Sequence, residues 1–334
     1  MKKKLVFSII IAIFVSFALY YGYNLIKLNS VDVGEFSMEI NLGDDAKHVG
    51  VFDGTLFYVK ENKLIANSQK KGVLFEKNLG LAISDVVYDK YIYVGQKDGL
   101  IRAFDRFDGS LIRKINLGME VFHMEILEDK LICYGGKKLC IVDLDLKDKV
   151  EKTFDNRPVK YSSDSFLESI IFLDREVEGL KSSFRIFKDG KEIYYISSVD
   201  ELFMYSNFLL DGKCIVLTNS YLYLIENSKL VKKVFLLNPR AIDIKDSKIA
   251  VADDDTMKIY DDDLRLLEEV SLSFKADDLM FVKDKILLTG KNVIASFEDQ
   301  NLIKTDVTDM KSYLLEKDGV YVIMPNRVEK VKAY

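Results

Sequence analysis

The chain has 334 residues, 49% of them apolar, with 21 Phe, 18 Tyr, three Pro and no Trp. That is enough apolar material for a sizeable core, in two ordinary domains or one large all-β domain. The formal charge of −5 provides no electrostatic footprint for nucleic acid, and two histidines in the whole chain leave little for metal or acid–base chemistry.

The first predicted element is a membrane span. From Leu5 to Ile26, "LVFSIIIAIFVSFALYYGYNLI" runs for 22 residues without a charge. At ~1.5 Å per residue it can cross a hydrocarbon core of ~30 Å. It is longer than the ~7–15-residue apolar region of a secretory signal, and no small-x-small cleavage site follows it. Tyr20, Tyr21 and Tyr23 suit a membrane–water interface. The expectation is a retained signal anchor in the lipid bilayer of a cell membrane, with a cleaved signal as the alternative. Lys2, Lys3 and Lys4 before it, against Lys27 after it, place the N-terminus in the cytoplasm and residues from about 28 onward outside. Without those four lysines 44 basic residues face 53 acidic ones, near −9, a balance unsuited to lying on anionic lipid. Residues 28–34 are read as a short linker and 35–334 as the extracytoplasmic domain.

That domain opens on a repeat. Asn-Leu-Gly occurs at 41–43, 78–80 and 116–118, spacings of 37 and 38 residues. An apolar strand returns with it: "LFYV" from Leu56, "YIYV" from Tyr91, "LICY" from Leu131 and "IIFL" from Ile170. The series continues with "CIVL" from Cys214, "IAVA" from Ile249, "ILLT" from Ile286 and "VYVI" from Val320. Eight copies at about 38 residues signal a repeat architecture. Strands apolar on both faces belong between neighbouring sheets. Before each lies a strand such as "SDVVYD" or "AIDIKD", and after it a more amphipathic one such as "LIRAFDR" (100–106). A polar turn and a charged, alternating strand such as "LIRKINL" or "LVKKVFLL" complete the unit. Four strands in ~40 residues, the last the most polar, read as a propeller blade.

The first Asn-Leu-Gly ends "EFSMEINLG", an outermost strand with no blade before it, while residues 310–334 supply three strands without a fourth. The N-terminal strand is therefore expected to complete the last blade and remove an exposed edge. The fold class is an all-β propeller of eight four-stranded blades, with seven as the alternative: 44–80, 81–118, 119–156, 157–199, 200–239, 240–273, 274–307, and 308–334 with 35–43. The fourth is the least regular, because "DREVEGLKSS" (174–183) is expected to lengthen its central hairpin loop.

The second blade, "YIYVGQKDGLIRAFDRFDGSLIRKINLG", resembles the PQQ-like (quinoprotein-type) repeat, in which a glycine-bearing hairpin leads into Ala-x-Asp-x-x-Thr-Gly-x-x-x-Trp. Ala103, Asp105 and Gly109 match, Asp108 replaces Thr and Arg113 replaces Trp. Gly109 is expected at positive φ, and Asp105 and Asp108 are expected to accept turn amides. Elsewhere the likeness is to a generic, WD40-like repeat. The tryptophans of a quinone site are absent, so the resemblance implies no cofactor. Within that superfamily the chain looks like membrane-anchored, single-pass, non-catalytic bacterial propellers. A functional analogue is the propeller scaffold of the outer-membrane β-barrel assembly machinery, a lipoprotein, whereas this chain has no lipidation cysteine. The expected function is a scaffold that binds an envelope protein or polymer. The alternative is a hydrolase or lyase of cell-wall polymer, for which no nucleophile or metalloprotease motif is found.

Remaining candidates are read against simpler roles. His48 and His123 sit on or beside innermost strands and are expected as core or channel-lining residues, not metal ligands. The acid-rich stretch "VADDDTMKIYDDD" (251–263) is expected to serve its turns, not calcium. Cys133 and Cys140 flank a hairpin turn; buried small apolar residues are expected there over a disulfide. No catalytic, cofactor or metal residue is assigned. The partner face is placed where outermost strands lead into the next blade, with Phe122, Arg157, Tyr161, Arg240 and Phe274 as candidates; the simpler roles are the start of an inner strand for Phe122 and a solvated rigid turn beside a proline for Arg157 and Arg240.

Overall fold

The computed structural model describes residues 36–331, apart from 44, 81–82, 177–178, 210 and 317–318. The predicted span at 5–26 and the linker at 28–34 lie outside the described residues. Among the described residues no helix is long and apolar enough to cross a membrane.

Among the described residues the strands form eight four-stranded antiparallel sheets. Seven are built from consecutive strands, at 47–78, 83–116, 123–153, 158–198, 203–235, 241–271 and 276–306, here blades 1 to 7. Blade 8 joins the strands within 312–331 to Ser37–Glu39. The chain is an eight-bladed β-propeller. First strands of successive blades pack on one another, as in blades 1 and 2, 2 and 3, 4 and 5, and 6 and 7.

Burial follows the polarity gradient of the sequence. Second strands such as Ile92–Gln96, Cys214–Thr218 and Gly319–Met324 are buried along their whole length. Fourth strands such as Leu111–Asn116 and Lys229–Phe235 are almost wholly exposed. The core is therefore divided into layers between blade faces. One layer sets Tyr93, Ile101 and Ala103 of blade 2 against Leu131, Cys133 and Val142 of blade 3. Cys133 and Cys140 are opposed in register, and both are buried and free, as is Cys214.

The recurring triplet has a local physical cause. In each copy the Asn side chain accepts the Gly N–H: Asn41 from Gly43 (3.0 Å), Asn78 from Gly80 (2.9 Å) and Asn116 from Gly118 (2.8 Å). The glycines lie at φ of 71°, 75° and 70°, where a Cβ is disfavoured. The leucines between them, Leu42, Leu79 and Leu117, are buried. One residue thus ends the strand, the next plugs the core, and the third turns the chain.

The copy at 41–43 follows Ser37–Glu39, which pairs antiparallel with Arg327–Val331: Ser37 opposite Glu329, Met38 opposite Val328 and Glu39 opposite Arg327. Ile40 N–H extends the pairing to the Asn326 carbonyl at 2.9 Å. The N-terminal strand closes the ring.

Blade 4 differs from the sequence expectation. The segment 174–183 lengthens its strands, not its loop: Leu167–Glu176 and Gly179–Lys188 run ten residues each, paired from Leu167–Lys188 to Glu176–Gly179. Continued pairing satisfies backbone groups that a loop would have to offer to water.

Glycines at the ends of second strands make room for the incoming chain. A Cβ on Gly135 would lie 1.8 Å from the Glu120 carbonyl oxygen, and one on Gly290 would lie 2.2 Å from that of Lys275. Backbone, not a flexible side chain, is the obstacle. Gly135→Ala is expected to destabilise the domain by about 3 kcal/mol, the upper range for overpacking. Gly136→Ala, with open space but a φ of 57°, is expected to cost about 1 kcal/mol. Urea unfolding of the two variants measures the difference.

Candidate functional site

Residues that follow fourth strands donate to the turns between second and third strands: Leu79 N–H to Asn62 O (2.9 Å), Leu117 to Gly99 (3.0 Å) and Leu236 to Ser220 (2.9 Å). Interblade loops and central hairpin turns therefore share one face, the face assigned to a partner.

The structure brings two of the five candidates together there. Phe122, 42% exposed, leads into blade 3, and the Arg157 guanidinium entering blade 4 lies 5.3 Å from its ring centroid. The Arg157 backbone is fixed by its N–H to Asp174 Oδ1 (3.3 Å) and by its carbonyl, which accepts Leu173 N–H (2.9 Å). Arg240 instead is bound to Asp277 (3.0 Å) and Asp254 (3.6 Å), tying blade 6 to blade 7. Phe274 is half-buried against the core between those blades. Tyr161 is corrected: blade 4 begins at Pro158, so Tyr161 is inside a strand, not on a loop. It is buried with Tyr134, Ile170 and Phe172, and its O–H donates to Glu168 (2.9 Å).

A second constellation, centred on Asp85, was missed by the sequence reading. His48 in blade 1 places Nδ1 3.4 Å from Asp85 Oδ1, and His123 in blade 3 places Nδ1 2.8 Å from Oδ2. The Val86 N–H donates to Oδ1 (2.9 Å) and the Met124 N–H to Oδ2 (2.7 Å). One carboxylate thus joins the first strands of three blades. His48 reaches it from an irregular stretch between Lys47 and Gly50, at a φ of 49°, the kind of bulge that re-aims a side chain. Tyr88 O–H donates to the His48 carbonyl. The His123 ring stacks on Tyr134 at 5.8 Å; Tyr134 O–H in turn donates to Glu125, which also pairs with Lys160.

The electrostatics follow from these contacts. Burial pushes the Asp85 carboxyl up, but hydrogen bonds from His123, His48 and the Met124 amide outweigh it and hold the group well below the usual carboxylate range. His123 is raised above 6.5 by its hydrogen bond to Asp85, against a smaller effect of burial. Blade 6 provides a control: Asp243 accepts Ile244 N–H (2.9 Å) and, across to blade 7, Phe281 N–H (2.7 Å). There burial dominates and the carboxyl is raised. The signal in the sequence was an Asp inside an apolar first strand, in "SDVVYD" and again in "AIDIKD".

The acidic stretch 251–263 serves its turns. Buried Asp253 accepts Thr256 N–H (3.1 Å), Thr256 O–H (2.6 Å) and Lys258 Nζ (2.7 Å). Asp261 accepts the N–H of Asp263 and Arg265, while Lys213 pairs with Asp262 and Asp263. In blade 2, Asp105 accepts Phe107 N–H (2.7 Å), Asp108 accepts Ser110 N–H (2.7 Å), and Gly109 has a φ of 67°. Among the described residues no group of three or more His, Cys, Asp or Glu is placed to hold a metal ion.

No protein-family model matches the chain, and no curated protein matches it. Solved structures do. BamB from Moraxella catarrhalis superposes with a TM-score of 0.60 at 11% identity, covering 88% of this chain and 97% of that one. The computationally designed Ika8 protein gives 0.67 at 9% identity, over 87% and 97%. Sqt1 of Saccharomyces cerevisiae gives 0.61 at 9% identity, over 89% and 98%. The likeness is one of fold.

Proposed function

We propose that this propeller is a non-catalytic binding scaffold of the bacterial envelope, held to the membrane by residues 5–26 and displayed outside the cytoplasm. What carries the reading is the Phe122–Arg157 pair: an exposed aromatic ring and a guanidinium, supplied by adjacent blades on one face. Aromatic and Arg side chains are enriched among binding hot spots. The Asp85, Asp253 and Asp261 clusters support it from the other side, since their hydrogen bonds go to holding blades and turns. The PQQ-like motif of blade 2 fits the same reading, because its two Asp side chains are engaged by turn amides. The partner is an envelope protein or polymer, with no nucleic acid and no cofactor.

Two measurements test it. A reporter active only outside the cytoplasm, fused after Tyr334, is expected to be active, and a cytoplasm-dependent one silent; the reverse removes the membrane reading. Phe122→Ala combined with Arg157→Ala is expected to weaken capture of the wild-type partner from solubilised membranes by at least about tenfold. Undiminished capture by the folded double variant removes this pair as the binding surface.

A further inference from the structure

The opposite face of the ring carries a larger feature. Turns joining first to second strands, and third to fourth strands, emerge there, because strands alternate in direction. In blades 3 to 6 these turns surround a cavity of about 1220 Å³. Among the described residues its wall includes Glu128, Asp164, Asp211 and Asp246, one acid from each of four successive blades, against a single cation, Lys188. Among the described residues none of these four carboxylates forms an ion pair, whereas acids elsewhere commonly do, as in Lys90–Asp145 and Lys285–Glu298.

The cavity also has an apolar anchor. Phe166, on its rim, is 77% exposed, more than any other large apolar side chain among the described residues. Its turn is fixed: Asp164 Oδ1 accepts both Phe166 N–H (2.7 Å) and Leu167 N–H (2.6 Å), and Asp164 N–H donates to the Leu167 carbonyl (3.0 Å). A ring held out by a closed turn loses little freedom when a partner covers it. Ile193, 38% exposed, lines the same cavity.

Occupants are narrowed by size and charge. The acids stand on four separate turns and do not converge on one metal ion. The volume exceeds the ~300–1,000 Å³ of ordinary small-molecule pockets. An anionic lipid surface or polyanion would meet four like charges. We infer that this cavity docks an extended, cationic peptide segment of a partner protein, with an apolar side chain packed on Phe166 and Lys or Arg residues facing Glu128, Asp164, Asp211 and Asp246. The inference deepens the scaffold reading but concerns the face opposite the Phe122–Arg157 pair, so each can fail separately.

The test uses the full chain in detergent and a fluorescein-labelled heptapeptide of alternating lysine and leucine with a central phenylalanine, read by fluorescence anisotropy. The peptide is expected to bind, and to bind more weakly when salt rises from about 50 to 300 mM. A version with glutamate for lysine should not bind. A version with glycine for its apolar residues should bind at least about tenfold more weakly. Phe166→Ser, and separately Asp211→Lys with Asp246→Lys, should each lose about tenfold or more in affinity, while Phe122→Ala with Arg157→Ala changes nothing. Absence of binding to the lysine peptide overturns the inference. So does equal binding of the glycine version, which would mean charge alone, or unchanged affinity in both groove variants. Loss only in the Phe122 and Arg157 variant would move the peptide site to the other face.

Discussion

A chain that begins at Asp44 is expected to unfold at markedly lower temperature and to aggregate, whereas one that begins at Val33 stays monomeric and melts in a single transition. The shorter chain lacks Ser37–Glu39 and with it the fourth strand of blade 8. Met38 and Leu42, both buried, leave together; each contributes about 1.5–3 kcal/mol when fully buried. Val328, opposite Met38 and completely buried, loses its cover. The combined loss, about 3–6 kcal/mol before any relaxation, is a large fraction of the ~5–15 kcal/mol that holds a typical domain. The effect is larger than packing alone, because the open edge of Arg327–Val331 would offer unpaired amides and carbonyls to a second molecule. Size exclusion and thermal unfolding of the two chains read both consequences. Equal melting and equal monodispersity would mean that the closing strand adds nothing to the ring.

The reason this closure was legible in the sequence is that the Asn-Leu-Gly triplet encodes a complete local device. Its Asn cap, buried Leu and left-handed Gly each have one job within three residues, so a copy without a preceding blade could only belong to a blade elsewhere. The second strands were legible for a related reason: being covered on both faces, they have no polar position to disguise them. Blade 4 misled because its added residues continue the strand pairing, and a ten-residue hairpin arm carries the same polar residues as a long loop. Tyr161 misled by one strand boundary, since four residues after Arg157 lies either on a loop or inside a first strand, depending on where Pro158 falls. The Asp85 cluster was out of reach for a different reason. His48, Asp85 and His123 are separated by 37 and 38 residues. Those separations equal one repeat each, which would have matched the three positions had the repeats been aligned on their first strands.

The second large effect concerns that cluster. Asp85→Ala is expected to destabilise the propeller by about 3 kcal/mol, because it leaves the Met124 and Val86 amides and two imidazoles without their acceptor. Its pH signature separates it from simple loss of packing. Asp85 is held below 3.8, so its contribution is present above that value and fades as pH falls toward the lowered one. His123 is raised above 6.5, so its contribution is complete below 6.5 and is lost as pH climbs through the raised value. The cluster therefore stabilises most between about pH 4 and 6.5 and weakens on the alkaline side. Because the His123 side chain is 59% exposed, solvent screening keeps that alkaline decline below about 1 kcal/mol. Melting temperatures from about pH 5 to 9 should fall gently above 6.5 in the wild type and lose that limb in Asp85→Ala. Asp243→Ala is expected to keep it, since Asp243 makes the same two amide contacts between blades 6 and 7 without a histidine pairing. An alkaline limb that survives in Asp85→Ala, or disappears in Asp243→Ala, would mean that the histidines do not draw their stabilisation from this carboxylate.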